Sequence, residues 1–303
     1  MTEIFYYDRA TKKQEQEKVY GEFFLKLMYG DNPIARLFSL FLLPTFAKIP
    51  FFSRLYGAYQ KSRLSHCKIK PFIRAFDVDP SEFLDPVESF PTFNDFFIRR
   101  LKTECRPIAS GDHIAAMPAD ARYLVFPNIA DANGFWVKGK KFSLRKLLQS
   151  EELSTRYENG AMVMARLCPV DYHRFHFPFS CTPGKAKLIN GPLYSVNPIA
   201  LKRNIEYLSE NKRMLTELET GNFGKVVYIE VGATHVGSIE QTYTPGKPCA
   251  KGEEKGYFSF GGSCLLILFE PNKIAFEHDL IDHSAAKIEV RALLGQSLGR
   301  ASY

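Results

Sequence analysis

The sequence predicts an α+β protein in which a helical N-terminal region is followed by a mainly antiparallel β core. Residues 20–105 carry apolar side chains at helical spacing, interrupted by prolines and glycines. After Pro107 the chain changes to short segments rich in β-forming residues, separated by Gly, Pro or Asn. The 303 residues are 45% hydrophobic and 24% charged, as is typical of a globular protein with a sizeable core. We therefore divide the chain into residues 1–105 and residues 106–303.

Three successive helices are predicted to begin in the first half of residues 1–105. They follow some 20 polar and charged residues in which no cleavable signal peptide is visible. The first helix runs from about Tyr20 to a stop at Gly30, the second opens at Asn32–Pro33, and the third opens at Pro50. The apolar stretch of the second helix, Leu37–Ala47, is too short to cross a bilayer core of roughly 30 Å. Short apolar helices with basic flanks are expected to lie in a membrane interface.

Positive charge is concentrated in the same region. The formal net charge is +7, and residues 32–76 contain eight basic residues and no acidic one. Each basic residue near an anionic leaflet contributes about 1 kcal/mol, so residues 1–105 are predicted to be a membrane-associating region. A solvated basic surface over a buried helical hairpin is the alternative. Nucleic acid is not expected as a partner, because no Gly-aromatic binding motif or zinc module accompanies the charge.

The later elements are predicted from caps and apolar runs. Thr92-Phe93-Asn94-Asp95 resembles a capping box and predicts a short helix through Leu101. Ser143 is predicted to cap a second helix, which has leucines on one face. The predicted strands cover residues 114–117, 123–126, 162–167, 185–189, 226–231 and 264–269.

A corner formed by Gly261-Gly262-Ser263 stands between a segment of alternating pattern and the apolar run Leu265–Phe269. This pattern predicts a strand, a tight turn and a buried strand. Glycine lacks the Cβ atom that forbids unusual dihedrals, so the Gly262 carbonyl can turn toward the Ser263 hydroxyl. The corner is therefore either a hairpin turn with a solvent-facing serine or a peptide bond that its own serine attacks.

Asp120, His173 and His176 are the other candidates for chemistry. An aspartate between two strands, as Asp120 is predicted to be, is most often a turn former. The two histidines stand three residues apart among aromatic neighbours and suit acid-base catalysis, because the pKa of imidazole lies nearest neutrality. Two structural histidines are the alternative. The other histidines and the six cysteines show no metal-ligand spacing, so no metal is expected.

Asp, His and Ser follow one another along the chain in an order that allows a catalytic triad. An Asp-His-Ser hydrolase acting on lipid esters would have the same residues. However, the elbow Gly-x-Ser-x-Gly is missing, and a buried-looking apolar run follows Ser263. The serine therefore faces its own chain more plausibly than an incoming acyl substrate. A non-enzymatic membrane-bound scaffold that uses residues 32–76 is a further alternative.

The sequence resembles the phosphatidylserine decarboxylases, pyruvoyl-dependent enzymes of phospholipid synthesis, from about Pro91 almost to the C-terminus. The matching stretches are 91–97, Met117–Asp120, 169–178 with its Asp-Tyr-His-Arg-x-His core, 193–197, 231–239, and Lys251-Gly252-Glu253 leading to Gly262-Ser263. Each stretch alone is weak, whereas all of them in order are highly specific. The cleavage motif of the family is commonly Leu-Gly-Ser-Thr, and here it reads Gly261-Gly262-Ser263-Cys264.

The resemblance implies a proenzyme that cuts itself between Gly262 and Ser263. Ser263 Oγ would attack the Gly262 carbonyl, with His176 as the base and Asp120 orienting it. Elimination and hydrolysis would then convert Ser263 into a covalent pyruvoyl group, the one cofactor implied, with no metal and no nucleotide. The products would be a long chain, 1–262, and a short chain, 263–303.

The implied activity of this β-rich catalytic core is decarboxylation of phosphatidylserine to phosphatidylethanolamine through a Schiff base between the substrate amine and the pyruvoyl group. His173 is the expected donor of the proton that replaces CO2. Expected partners are phosphatidylserine, an anionic phospholipid membrane and the two chains of the same proenzyme. The oligomeric state stays open, a homodimer included. The expected location is the cytoplasmic face of a bacterial cell membrane, where the protein would bind peripherally.

Overall fold

The computed structural model describes residues 3–29, 50–132, 142–233, 238–261 and 263–302. The helices are α1 (Glu22–Tyr29), α2 (Pro50–Gln60), α3 (Ile69–Phe76), α4 (Phe93–Phe97), α5 (Leu144–Leu148), α6 (Glu151–Tyr157), α7 (Pro198–Arg203), α8 (Tyr207–Glu210) and α9 (His278–Ala285). The strands are β1 (Phe5–Asp8), β2 (Lys13–Gln16), β3 (Ile114–Ala116), β4 (Ala121–Phe126), β5 (Ala161–Leu167), β6 (Arg174–His176), β7 (Cys181–Pro183), β8 (Lys187–Ile189), β9 (Arg213–Thr220), β10 (Lys225–Gly232), β11 (Ile239–Gln241), β12 (Glu254–Phe258), β13 (Ser263–Phe269), β14 (Ile274–Phe276), β15 (Glu289–Ala292) and β16 (Ser297–Ala301).

One large sheet dominates the described part of the chain. Nine of its ten strands run in the order β2-β1-β15-β4-β5-β13-β10-β9-β7, and the tenth, β8, pairs with β9. Every pair in this sheet is antiparallel except β1 with β15. Two three-stranded sheets have the orders β11-β12-β6 and β14-β16-β3. The predicted α+β class with a mainly antiparallel core is confirmed, and each predicted strand overlaps an observed one.

Strand β13, which begins at Ser263, lies in the middle of the large sheet. It pairs with β5 on one edge and with β10 on the other over its full length, and all seven of its residues are buried. Its side chains alternate between two hydrophobic cores, one on each face of the sheet. A strand covered on both faces is apolar at every position, which explains the unbroken run Leu265–Phe269. The predicted buried strand after the glycine corner is confirmed.

The N-terminal region is not wholly helical, because its first residues form the strands β1 and β2. Strand β1 pairs in parallel with β15, and β2 pairs with β1, so this hairpin extends the large sheet. The side chain of Glu17, just past β2, is buried and accepts a hydrogen bond from Arg166 Nη2 at 2.6 Å. Lys13–Gln16 is an exposed edge strand of polar residues, so its amino-acid composition does not predict a strand. The domain boundary near residue 105 stays a prediction.

The helix boundaries predicted in the N-terminal region are confirmed in part. Helix α1 ends at Tyr29 and α2 begins at Pro50, as predicted, whereas the predicted helix containing Leu37–Ala47 lies outside the described residues. Helix α4 ends at Phe97, four residues before the predicted end. Within the ranges described above, no helix is long and apolar enough to span a bilayer.

The predicted helix caps are confirmed. Thr92 Oγ1 accepts a hydrogen bond from Asp95 N at 3.1 Å at the start of α4. Ser143 Oγ accepts one from Lys146 N at 3.2 Å at the start of α5. Both contacts satisfy backbone N–H groups that have no partner inside the helix.

A cluster of aromatic side chains joins the N-terminal helices to the segment before Ser263. It includes Phe72, Phe83, Phe90, Phe93, Phe96, Phe97 and Phe260. The ring centroid of Phe260 lies 5.2 Å from that of Phe93 and 4.9 Å from that of Phe97, in edge-to-face arrangements. This cluster accounts for part of the high phenylalanine content and fixes the chain just before the glycine corner.

The two-sided burial of β13 predicts a large cost for shortening its side chains. Leu266→Ala is expected to lower the free energy of unfolding by about 2–5 kcal/mol, because it leaves a cavity in the core. Leu188→Ala, at a leucine that is 47% exposed, is the matched control and is expected to change it by less than about 0.5 kcal/mol. Urea unfolding followed by circular dichroism compares the two. Equal shifts of the midpoint would contradict the central position of β13.

Candidate active site

Ser263 is fully buried at the first position of β13. Its register partners are Leu167 on β5 and Gly232 on β10. Gly261, the first residue of the corner, has a φ of +146°, a conformation that residues with a Cβ atom rarely adopt. Gly262, the other residue of the predicted cleavage site, lies outside the described residues. The serine is thus anchored by its own strand and follows a residue that needs glycine.

His173 is the side chain that contacts the serine. Its Nδ1 atom lies 3.3 Å from Ser263 Oγ, and its Nε2 atom lies 2.8 Å from the carbonyl oxygen of Cys168. Because a carbonyl oxygen only accepts hydrogen bonds, Nε2 carries the proton, and the lone pair of Nδ1 faces the hydroxyl. Burial lowers the pKa of His173 to about 3, so the ring is neutral near pH 7. The arrangement is that of a neutral base facing a serine.

An aromatic ring fixes the orientation of this imidazole. The ring of Phe97, the last residue of α4, stacks on His173 with a centroid distance of 3.9 Å and an interplanar angle of 24°. His173 is therefore held by a hydrogen bond at Nε2 and by a stacked ring on its face. Both contacts restrict the directions in which Nδ1 can point.

His176 has a similar protonation state but different neighbours. Its Nδ1 atom donates to the Gly252 carbonyl at 2.9 Å, and its Nε2 atom lies 3.4 Å from the Tyr172 hydroxyl. Burial, the largest influence, lowers its pKa, while the charges of Glu254 and Asp120 partly oppose this effect. Because Nδ1 carries the proton of the neutral ring, Nε2 has the lone pair, which faces the Tyr172 hydroxyl. No hydrogen bond joins His176 to Asp120 or to Ser263, all three of which are described.

The Asp120 carboxylate binds Arg106 and Leu294 rather than a histidine. Its carboxylate accepts hydrogen bonds from Arg106 Nε at 2.9 Å and Arg106 Nη2 at 2.7 Å, and from Leu294 N at 2.8 Å. It is nevertheless near His176, since His176 N donates to the carbonyl of Pro118 at 2.8 Å. The structure therefore brings Ser263 and His173 into contact and leaves Asp120 and His176 as neighbours without a hydrogen bond. The predicted roles of the four residues stay predictions.

A buried ionic network, missed by the sequence analysis, supports the loop that carries His173. Arg122 Nη1 donates to Asp171 Oδ2 at 2.6 Å, and the same oxygen accepts from Cys168 N at 2.7 Å. Arg122 lies directly opposite Arg166 in the pairing of β4 with β5. The signal available in the sequence was a single arginine in each of two otherwise largely apolar strands. A buried charge of this kind requires a buried partner.

The surroundings of Ser263 fit a group formed from that residue itself. Ser263 is fully buried, a ring nitrogen of His173 with a lone pair is within reach, and the apolar ring of Phe97 stacks on that histidine. A pyruvoyl group has no charge and is small, so it would need no additional ligands. In the part of the chain that the structure describes, no cluster of three or more His, Cys, Asp or Glu could hold a metal ion.

Comparisons with known proteins identify the family of this chain. The family model described as "Phosphatidylserine decarboxylase" matches residues 93–300. A "Phosphatidylserine decarboxylase proenzyme" of Chlamydia pneumoniae is 47% identical over 296 residues, covering 98% of this chain and 97% of the relative. Proteins of the same name from Chlamydia muridarum and Chlamydia trachomatis serovar L2 are 47% and 43% identical, each over 298 residues, with the same coverage of both chains. The chain therefore belongs to the phosphatidylserine decarboxylase family of enzymes.

Proposed function

We propose that this protein decarboxylates phosphatidylserine to phosphatidylethanolamine after cutting itself between Gly262 and Ser263. The observation that carries the proposal is the buried contact between Ser263 Oγ and the unprotonated nitrogen of His173. This contact occurs in a chain whose full-length relatives are named as proenzymes of this decarboxylase. A proenzyme matures by cleavage, and the proposed site lies at the start of a strand that can hold the new chain end.

Self-cleavage would use only groups of the chain itself. Ser263 Oγ would lose its proton to a histidine and attack the carbonyl carbon of Gly262, exchanging an amide for an ester. Elimination across the Cα–Cβ bond of residue 263 would then release the Gly262 carboxylate. The double bond that remains would take up water and lose ammonia, leaving a ketone. In the uncut chain the full burial of Ser263 favours this internal attack over hydrolysis of an external lipid ester. The cut would free the chain that precedes Ser263 and so admit the substrate amine to residue 263.

The two chains would remain associated after cleavage. The short chain, 263–303, contains β13, which pairs with β5 and β10 of the long chain. It also contains β15, which pairs with β1 and β4. Separation would break these pairs and expose both hydrophobic cores, so it would be strongly unfavourable.

In the mature enzyme the pyruvoyl group would supply a ketone that binds the substrate amine and takes up the electron pair left by CO2. His173 would then act at the same residue, because its Nδ1 already faces position 263. Decarboxylation of an amino acid consumes one proton, which a histidine at this position can deliver to the substrate carbon. The closed, apolar surroundings favour loss of a carboxylate whose charge becomes dispersed.

The base of self-cleavage has two candidates. The family resemblance assigns His176, oriented by Asp120, and we retain this assignment. It requires the His176 ring to leave the Gly252 carbonyl and the Tyr172 hydroxyl. The contact at Ser263 favours His173 as the competing candidate. Single substitutions separate the two assignments.

We further propose that the protein binds peripherally to the cytoplasmic face of a bacterial membrane. Leu55 and Leu64 are 59% and 75% exposed, and Tyr59 is also exposed. The neighbouring Lys61 and Arg63 are exposed as well. Apolar side chains beside basic ones suit an anionic lipid surface. A diacyl lipid substrate leaves the bilayer reluctantly, so the enzyme has to act at its surface.

The first test is the intact mass of the purified protein. The native chain is expected as two fragments, the shorter one blocked at its N-terminus, whereas Ser263→Ala is expected as one chain of 34.6 kDa that forms no phosphatidylethanolamine. Ser259→Ala, at a serine four residues away, is the control and is expected to be cleaved. A native protein that stays at 34.6 kDa, or product formation by Ser263→Ala, would refute the proposal.

The second test compares the histidines. His176→Ala is expected to remain uncleaved. His173→Ala is expected to be cleaved but to lose at least about 100-fold in decarboxylation rate, because proton transfer typically contributes this much. His278→Ala, at an exposed histidine that begins α9, is the control. If His173→Ala blocks cleavage and His176→Ala permits it, His173 is the base and the retained assignment is wrong.

The third test concerns membrane binding. The double variant Leu55→Ser and Leu64→Ser is expected to bind vesicles of anionic phospholipid at least about tenfold more weakly, because it removes two exposed apolar side chains. Leu188→Ser, at an exposed leucine of β8, is the control. Co-sedimentation measures both. Unchanged binding by the double variant would place the lipid contact elsewhere.

A further inference from the structure

We propose that α4 is a clamp for self-cleavage, in which Asn94 positions the chain before the scissile bond and Phe97 positions His173. The inference rests on the self-cleavage proposed above. Asn94 Oδ1 accepts a hydrogen bond from Phe260 N at 3.1 Å, and both residues are buried. Phe260 lies two residues before Gly262, so the bond acts close to the carbonyl that is attacked.

The same helix also reaches the other reacting group. The ring of Phe97 stacks on His173 and lies 4.9 Å from the ring of Phe260. His173 in turn contacts Ser263. Helix α4 therefore contacts Phe260, which precedes the corner, and it is linked to Ser263 through the imidazole of His173.

Helix α4 is itself fixed to the rest of the protein at both ends. At its start Phe93 N donates to Ser65 Oγ at 2.8 Å. Just past its end the Ile98 carbonyl accepts a hydrogen bond from Arg174 Nε at 2.9 Å. Arg174 begins β6, the strand that ends at His176. Helix α4 is thus held in a fixed position relative to Phe260 and His173, the residues that it contacts.

A glycine pair makes such a clamp necessary. Two successive glycines allow a chain many conformations, and few of these bring a serine hydroxyl to the carbonyl that precedes it. Strand β13 fixes the chain after the corner, and the Asn94 contact fixes it before the corner. Holding both sides raises the fraction of chains in the reactive arrangement.

The two positioning residues should differ in what they affect. After cleavage Phe260 belongs to the tail of the long chain, while residue 263 begins the short chain. The Asn94 contact is then separated from the mature reacting group. The Phe97 contact still holds His173. Asn94 should therefore influence cleavage alone. Phe97 should influence cleavage through its contact with the ring of Phe260 and decarboxylation through His173.

The experiment follows the intact mass of newly synthesised protein over time and measures decarboxylation per mole of pyruvoyl group. Asn94→Leu removes the acceptor at similar volume and is expected to slow cleavage about tenfold. Its activity per pyruvoyl group should be unchanged. Asn94→Asp keeps an oxygen that accepts from Phe260 N and is expected to restore cleavage to within about threefold of the native rate.

Phe97→Leu is expected to lower both the cleavage rate and the activity per pyruvoyl group. Phe90→Leu is the matched control from the same aromatic cluster, since its ring contacts Phe83 and Phe96. Both substitutions remove a buried ring, so a purely structural effect would be similar in the two. A fall in activity per pyruvoyl group limited to Phe97→Leu supports the clamp.

Stability is compared in the uncleavable Ser263→Ala background, where every variant is a single chain. If Asn94→Leu fails to fold there, Asn94→Ser, which is too short to reach Phe260 N, replaces it. Native cleavage by a folded Asn94→Leu or Asn94→Ser overturns the clamp, as does equal slowing by Asn94→Leu and Asn94→Asp. Failure of the native protein to cleave refutes the proposed function and is recognised before any variant is compared.

Discussion

Strand β13 is paired on both edges and covered on both faces, and Ser263 is its first residue. This constraint determines the environment of the serine. Its backbone cannot shift without disturbing the pairs to β5 and β10, and water has no access to its side chain. A cut made just before the strand would free one end of a rigid element. The same packing that stabilises the fold would therefore keep the new chain end in place.

Burial also sets the chemistry of the histidine beside the serine. His173 is neutral because an imidazolium in this closed site would lose its hydration without gaining a counter-ion among the groups it contacts. Its tautomer follows from the Cys168 carbonyl, which holds the proton on Nε2. The buried pair of Arg122 and Asp171 fixes the loop that presents this carbonyl, since Asp171 also binds Cys168 N. The orientation of one ring thus depends on a network that extends through the large sheet.

The N-terminal region has a structural role in the core as well as a proposed role at the membrane. Strands β1 and β2 extend the large sheet, and Glu17 pairs with Arg166 inside it. Helix α4 contributes Phe97 to the site and belongs to the region before residue 105. Exposed leucines lie earlier in the chain than α4, at Leu55 on α2 and at Leu64 just past it. Region 1–105 therefore combines elements of the core with a surface suited to lipid.

Local patterns predicted much of this protein correctly. The apolar run after the glycine corner indicated a buried strand, because a strand covered on both faces is apolar at successive positions. The caps of α4 and α5 were also evident, since capping depends on residues three apart. The motifs around Asp120, His173, His176 and Ser263 together indicated the family, which the full-length relatives confirm.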